Sequence, residues 1–217
     1  FFALYVPASK VGEEAYEYAW KLMDGVRKSL AVNSDLARLA VSPEDGYANK
    51  SNGLFSVYVG LESGSPVRSL ADLKDFHDGG VRYMTLCHSA DNQICDSCAS
   101  KHKKWGGLSP FGREVVAEMN RLGMLIDVSH ISDDSFWDVL KYSKVPVAAT
   151  HSCCRALADH PRNMTDDMIR ALADAGGVIQ INFYPLFIDG GFASILEESG
   201  IEERNEGVEA QFIACPS

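Results

Sequence analysis

Apolar positions along the first 183 residues of this chain follow two alternating spacings. Short apolar runs typical of strands are separated by longer segments in which apolar residues recur every three to four positions, as on one face of a helix. Strands are predicted at residues 1–6, 54–61, 81–86, 124–128, 145–150 and 178–183. Helices are predicted at residues 13–31, 69–76, 110–122, 132–142 and 165–175, with a short one at 193–199. Alternating strands and helices indicate parallel strands with right-handed crossovers, in either an open doubly wound sheet or a (β/α)8 barrel.

Residues that favour helix ends support these boundaries. Ser69 is placed to cap its helix, with Asp72 at the capping-box position. Ser109 precedes Pro110, the order expected at the start of a helix. Gly123 follows the last apolar position of that helix and is suited to a left-handed residue that ends it.

Composition and charge exclude several classes of protein. The chain has 217 residues, of which 46% are hydrophobic and 23% charged, and this length suits one globular domain. The formal net charge of -10 argues against a nucleic-acid partner, which requires a basic face. No apolar run approaches the roughly 18 residues of a membrane span. Neither a GxGxxG sequence nor a P-loop occurs, which excludes the usual nucleotide-binding sheets.

Polar side chains follow four successive predicted strands. These residues are Glu62, His88, His130 and His151. One histidine at a strand end is more often a hydrogen-bonded structural residue, but the recurrence on four consecutive strands favours a shared role. In a barrel the carboxyl ends of all strands face one rim, where catalytic residues lie, and Glu with two His is a typical metal-ligand set. Asp127, inside a predicted strand, is either a partner that holds a ligand or a core acid bonded to backbone.

The cysteines give a weaker signal. Cys95 and Cys98 form a CxxC sequence, with Cys87 and His102 nearby. The set could hold a structural zinc, but without a second CxxC we favour free loop thiols. Six cysteines in a chain of this length do not indicate a disulfide framework.

Specific motifs lead to a family resemblance. The chain contains GLSPFGREVV at 107–116 and NRLGMLIDVSH at 120–130, and these blocks strongly resemble the membrane (renal) dipeptidase family. Its members are binuclear zinc peptidases of the amidohydrolase superfamily, with a (β/α)8 barrel. The match continues in the same order over GLESG at 60–64, LCHS at 86–89, THS at 150–152 and PRN at 161–163, so that it covers residues 1–183.

The resemblance implies a role for each candidate residue. Glu62 corresponds to the carboxylate that bridges two zinc ions, and His130 and His151 to the imidazole ligands of the second zinc. His88 corresponds to the histidine that reaches the scissile carbonyl and stabilises the oxyanion. Arg162 corresponds to the arginine that binds the terminal carboxylate of the substrate. The implied activity is zinc-dependent hydrolysis of the peptide bond of a dipeptide through a metal-activated water.

Two parts of the family pattern are absent. No His-x-Asp, the first-strand zinc ligands of the family, occurs in this chain, and neither does the Gly-Gly-Asp-Phe-Asp-Gly-like motif of the last strand. We therefore expect residues 1–217 to form a single catalytic barrel domain truncated at both ends. This domain would be an incomplete arc of about six β/α units that retains most ligands for one of the two zinc ions.

Other interpretations remain open at this stage. One is a related metal-dependent amidohydrolase, such as a lactonase or a phosphotriesterase-like barrel. Arg162 argues against it, because a free carboxylate needs a guanidinium and a neutral ester does not. Another is a catalytically inactive fragment of the dipeptidase. We expect a dipeptide substrate and no nucleic acid, and the sequence allows a homodimer. With terminal signals outside the sequence, we favour a bacterial cytoplasmic or periplasmic location over a membrane anchor.

Overall fold

A computed structural model describes residues 1–192 and 194–195 of the chain. The short helix predicted at 193–199 lies outside the described residues except for Ser194 and Ile195. The strands are β1 (Phe2–Tyr5), β2 (Ala37–Leu39), β3 (Phe55–Val57), β4 (Val59–Glu62), β5 (Val81–Thr85), β6 (Leu125–Asp127), β7 (Ala148–Ser152) and β8 (Val178–Ile181). The helices are α1 (Gly12–Val32), α2 (Pro43–Ser51), α3 (Leu70–Asp78), α4 (Pro110–Leu122), α5 (Asp133–Tyr142), α6 (Asp166–Asp174) and α7 (Pro185–Ile188). Within this part of the chain, no helix is both long and apolar enough to cross a bilayer.

The main sheet is parallel throughout and curved. Its strand order is β1-β4-β5-β6-β7-β8, and α3, α4, α5 and α6 connect successive neighbours from β4 to β8. Residues from all of these strands line one cavity of about 400 Å³ on the inner face. Neighbouring parallel strands joined through outer helices, around a shared interior, form an arc of a (β/α)8 barrel. The predicted α/β class is therefore confirmed.

The hydrophobic core lies between the outer face of this arc and the helices. Leu61, Met84 and Ile126 project outward from three neighbouring strands and are almost completely buried. Apolar residues of α3, α4 and α5 cover them: Leu73, Phe76, Val115, Val116, Met119, Phe136 and Val139. Because this face is closed, the opposite face and the strand ends are left for polar side chains.

One predicted strand is in fact two. Residues 54–61 split at Tyr58 into β3, which pairs with β2 in a separate two-stranded sheet, and β4, which joins the main sheet. A pattern of apolar residues reports extended backbone but not the pairing partner, so the prediction merged two strands. The segment containing β2 and α2 was not predicted because α2 buries little besides Asn49.

The predicted helix ends are confirmed. Ser69 and Asp72 form a reciprocal capping box at α3, and the Ser109 side chain accepts a hydrogen bond from the backbone N–H of Gly112 at the start of α4. Gly123 ends α4 with φ of 74°, in the left-handed region. Local side-chain chemistry therefore sets these boundaries independently of the tertiary fold.

Gly112→Ala should destabilise the protein, although alanine is the better helix former. A Cβ at position 112 would overlap the carbonyl oxygen of Ile94, a backbone atom that cannot turn away. We expect a loss of about 1–3 kcal/mol or more, as for overpacked cores. The matched control is Gly25→Ala in α1, where a Cβ meets nothing within 4 Å and should stabilise by up to about 1 kcal/mol. Urea unfolding of both variants measures the effect, and equal shifts for the two would contradict the close packing of α4.

Candidate metal centre

The register of the sheet aligns one row of side chains at the carboxyl ends of the strands. Tyr5 pairs with Glu62, Glu62 with Thr85, and Thr85 with Asp127. In a parallel sheet, paired residues project to the same face. The row therefore places a carboxylate from β4 and another from β6 on the inner side of the same rim.

The structure brings the histidines to this rim. His151 lies within β7, whereas His88 and His130 lie in the loops that follow β5 and β6. Glu62 Oε1 is 3.6 Å from His88 Nε2, 3.7 Å from His130 Nε2 and 3.4 Å from His151 Nε2. One carboxylate oxygen thus faces an imidazole nitrogen from each of three other strand units.

Glu62, His130 and His151 together have the arrangement of a metal site. One donor atom from each lies within 4.8 Å of the others, and the Nε2 atoms of His130 and His151 are 2.8 Å apart. Two imidazole nitrogens at this distance can share at most one hydrogen, so at least one of them presents a lone pair. A donor set of two nitrogens and one carboxylate oxygen is typical of zinc.

Electrostatics favour neutral imidazoles at His88 and His130. Burial lowers the pKa of His130 well below its usual value, and the positive charge of Arg162 adds to the effect. Burial likewise lowers the pKa of His88. Burial raises the pKa of Glu62, but the hydrogen bond and charge of a protonated His151, and the charge of a protonated His88, bring it below its usual value. An ionised carboxylate beside neutral imidazoles is the protonation state that binds a divalent cation.

The backbone at His130 is unusual. Its φ of 69° lies in the left-handed region, which residues other than glycine rarely adopt. The His130 carbonyl oxygen accepts a hydrogen bond from the Cys98 backbone N–H at 2.8 Å and contacts the Cys87 thiol. The long loop that carries the cysteines thus holds His130 in this conformation.

His88 lies between the metal-capable cluster and a second cavity. Its ring packs against the Tyr5 ring, with centroids 4.9 Å apart, and against the His130 ring at 3.9 Å. On the other side, His88 lines a pocket of about 280 Å³ together with Ser63, Ser65 and Lys104. The imidazole can therefore contact a molecule that occupies this pocket and extends toward Glu62.

Arg162 lies in the loop after β7 and is buried rather than exposed. Its Nη2 donates to the His151 carbonyl oxygen at 2.8 Å, its Nη1 lies 3.4 Å from Ser152 Oγ, and its guanidinium packs over the Phe187 ring. Among the residues the structure describes, no Asp or Glu forms an ion pair with Arg162. A buried guanidinium without a carboxylate partner is unusual, since buried charges are normally paired.

The cysteines of the long loop lie outside the metal-capable group found among the described residues. The group of three metal-capable residues found in the described part of the chain contains no cysteine. Its members are Glu62, His130 and His151. Cys87, Cys95 and Cys98 are free, and burial raises the pKa of the Cys87 and Cys98 thiols. Free loop thiols at Cys95 and Cys98 stay a prediction.

Sequence reasoning missed the hydroxyl groups beneath the cluster. Thr85 and Thr150 both donate to Asp127 Oδ2, at 2.6 and 2.7 Å, and Thr150 Oγ1 lies 2.8 Å from His151 Nδ1. In the sequence, the position of Thr150 directly before His151 could have indicated this contact. Asp127 also accepts backbone N–H groups, as expected of a core acid bonded to backbone.

Comparison with known proteins shows the family of this chain. The family model described as membrane dipeptidase (peptidase family M19) matches residues 1–211. An uncharacterised dipeptidase of Schizosaccharomyces pombe is 39% identical over 159 residues, 72% of this chain and 38% of that protein. Dipeptidase tcpJ of Claviceps purpurea is 34% identical over 195 residues, 85% of this chain and 46% of that protein.

A solved structure resembles the fold at a similar level of identity. The probable dipeptidase PvdM from Pseudomonas aeruginosa superimposes with a TM-score of 0.73 and is 30% identical, over 80% of this chain and 44% of that one. The chain spans less than half the length of each of these three relatives.

Proposed function

Because this chain belongs to the membrane dipeptidase family, peptidase family M19, we propose that it carries a zinc-binding half-site of a dipeptidase. The single observation that supports this most is the convergence of Glu62, His130 and His151 from three strand units. Its two nitrogens and one oxygen suit zinc, and three protein ligands with one open position are typical of catalytic zinc. Zinc bound there would act as a Lewis acid and lower the pKa of a coordinated water.

The residues of the chain have separate tasks in this proposal. Glu62 would contribute the anionic ligand, because its Oε1 faces the Nε2 atoms of both His130 and His151. His130 and His151 contribute Nε2. His88 donates a hydrogen bond to the carbonyl oxygen of the scissile bond as negative charge develops there. Attack of water on the carbonyl carbon then breaks the C–N bond, and the products are two amino acids.

The substrate is proposed to be a dipeptide because Arg162 provides a buried cation for a terminal carboxylate. Its missing counterion among the described residues supports this role, as does its location behind His151. A lactone or a phosphotriester has no free carboxylate that could pair with Arg162, so Arg162 favours a dipeptidase over these alternatives. A single domain over residues 1–217, a homodimer and a particular compartment stay predictions.

The direct test is calorimetric titration of the chelator-treated protein with zinc, together with a dipeptide hydrolysis assay. Saturable zinc binding that is lost in the His130→Ala and His151→Ala variants supports the half-site. Unchanged zinc binding in both variants would place the metal elsewhere and reject the proposal. Zinc binding without any dipeptide turnover in the complete protein would leave the metal site standing and reject the activity.

Arg162→Lys should lower dipeptide turnover far more than it lowers stability. Lysine keeps the charge but loses the planar fork that binds a carboxylate through two parallel hydrogen bonds. We expect kcat/KM to fall by about 10–100-fold, the value of a charge-assisted hydrogen bond of about 1.5–3 kcal/mol. Arg155→Lys is the matched control, because Arg155 pairs with Asp133 on the same side of the fold. Equal losses of kcat/KM in the two variants would contradict substrate binding by Arg162.

A further inference from the structure

A buried carboxylate lies directly beneath the histidine cluster. Asp127 is fully buried at the end of β6 and accepts four hydrogen bonds. Oδ1 accepts from the backbone N–H groups of Ser129 at 3.0 Å and Thr150 at 2.9 Å. Oδ2 accepts from the hydroxyls of Thr85 at 2.6 Å and Thr150 at 2.7 Å. All four partners are donors, which is the environment of an ionised carboxylate.

This arrangement determines which nitrogen of His151 carries hydrogen. A hydroxyl has one hydrogen, and a carboxylate can only accept. The hydrogen of Thr150 Oγ1 must therefore point to Asp127. The contact of 2.8 Å between Thr150 Oγ1 and His151 Nδ1 is then a hydrogen bond that Nδ1–H donates. In a neutral ring this leaves the lone pair on Nε2, the atom that faces Glu62 and His130.

The same carboxylate also steadies the turn that carries His130. Asp127 Oδ1 holds the backbone N–H of Ser129, and Ser129 Oγ accepts the backbone N–H of His151 at 3.0 Å. The turn before His130 is therefore tied to β7 by hydrogen bonds on both sides. A residue with φ of 69° costs free energy, so such ties are needed to keep it in place.

We propose that Asp127 and Thr150 are positioning residues that fix the Nδ1–H tautomer of His151 and so present its Nε2 lone pair to the metal. The inference rests on the proposed zinc half-site for its functional meaning, but the tautomer is a property of the metal-free protein. Partners that orient a ligating imidazole from behind commonly affect metal affinity by about 10–100-fold.

The test begins with the wild-type protein in chelator. Long-range ¹H–¹⁵N NMR spectra distinguish a protonated Nδ1 from a protonated Nε2 in the neutral His151 ring, which is assigned by comparison with His151→Gln. We expect hydrogen on Nδ1. Hydrogen on Nε2 in the wild-type protein would overturn the proposal without any further variant.

Three substitutions then separate positioning from simple structural support. Thr150→Val removes the hydroxyl that links Asp127 to His151, and Thr150→Ser keeps it. Thr85→Val is the matched control. It removes the other hydroxyl that donates to Asp127 Oδ2, at a fully buried position whose hydroxyl bonds Asp127 and not the His151 ring. Each variant is measured for the His151 tautomer, for zinc affinity by chelator competition, and for thermal unfolding.

We expect Thr150→Val to lose the single Nδ1–H tautomer and to bind zinc about 10–100-fold more weakly, while Thr150→Ser restores both properties. Thr85→Val should lower thermal stability but keep the tautomer and the zinc affinity. Equal weakening of zinc binding by Thr85→Val and Thr150→Val would reduce the role to structural support and overturn the proposal. Absence of zinc binding in the wild-type protein, with the Nδ1–H tautomer present, would reject the zinc half-site and leave the tautomer assignment standing.

Discussion

Glu62→Gln should abolish the proposed zinc-dependent dipeptide hydrolysis and leave the fold intact. The change keeps the size of the side chain but removes the negative charge that faces the Nε2 atoms of His130 and His151. A metal at such a site contributes several kcal/mol of charge stabilisation in the transition state. Since 1.36 kcal/mol corresponds to tenfold in rate, its loss lowers kcat/KM by about 1,000-fold or more. Zinc affinity should fall with it, which calorimetric titration measures separately.

The control for this prediction is Glu114→Gln, on the exposed face of α4. The two substitutions change net charge equally, so a general electrostatic effect on substrate or metal would appear in both. Glu114→Gln should retain wild-type zinc affinity and turnover. Wild-type turnover in the Glu62→Gln variant would show that Glu62 is not part of the site. The two histidines would then have no carboxylate as a third ligand.

The residues at the rim of the sheet could be predicted because the ends of strands can be located along the sequence. Glu62 follows an apolar run, and His130 and His151 lie close to the ends of two others. In a parallel arc the carboxyl ends of all strands lie at one edge. Residues at these ends are therefore predicted to be close in space even when they are far apart in the sequence. The structure places the three within 4.8 Å of one another.

The hydrogen-bond partners of these residues could not be predicted in the same way. Which atom of Asp127 meets Thr85 or Thr150 depends on how far β5, β6 and β7 are shifted along one another, and the register between β6 and β7 is given by the pair Asp127 and Ala148. No apolar pattern encodes such a shift. The pairing of β3 with β2 escaped prediction for the same reason, because it depends on the path of the chain between two sheets.

Burial changed the interpretation of Arg162 more than that of any other candidate. The resemblance gave Arg162 a role but not a depth in the fold, whereas the structure places the residue at 8% exposure against Phe187 and the His151 carbonyl. The backbone that carries the proposed metal ligand thus also holds the proposed substrate-binding cation. A substrate carboxylate at Arg162 would therefore lie within a few side chains of His88, whose pKa the Arg162 charge helps to lower.

Phe136→Ala should cause one of the largest losses of stability available in this chain. Phe136 is fully buried on α5, the helix between the strands that precede His130 and carry His151. Truncating a buried phenylalanine costs about 3–5 kcal/mol, a large part of the 5–15 kcal/mol typical of native proteins. The control is Trp137→Ala at the next position, where the larger ring is 44% exposed and its loss should cost much less. Urea unfolding in chelator measures both variants, and equal losses would contradict the packing of α5 against the sheet.

Zinc at 100 times its dissociation constant should restore about 2.7 kcal/mol, because only the folded arrangement brings Glu62, His130 and His151 together.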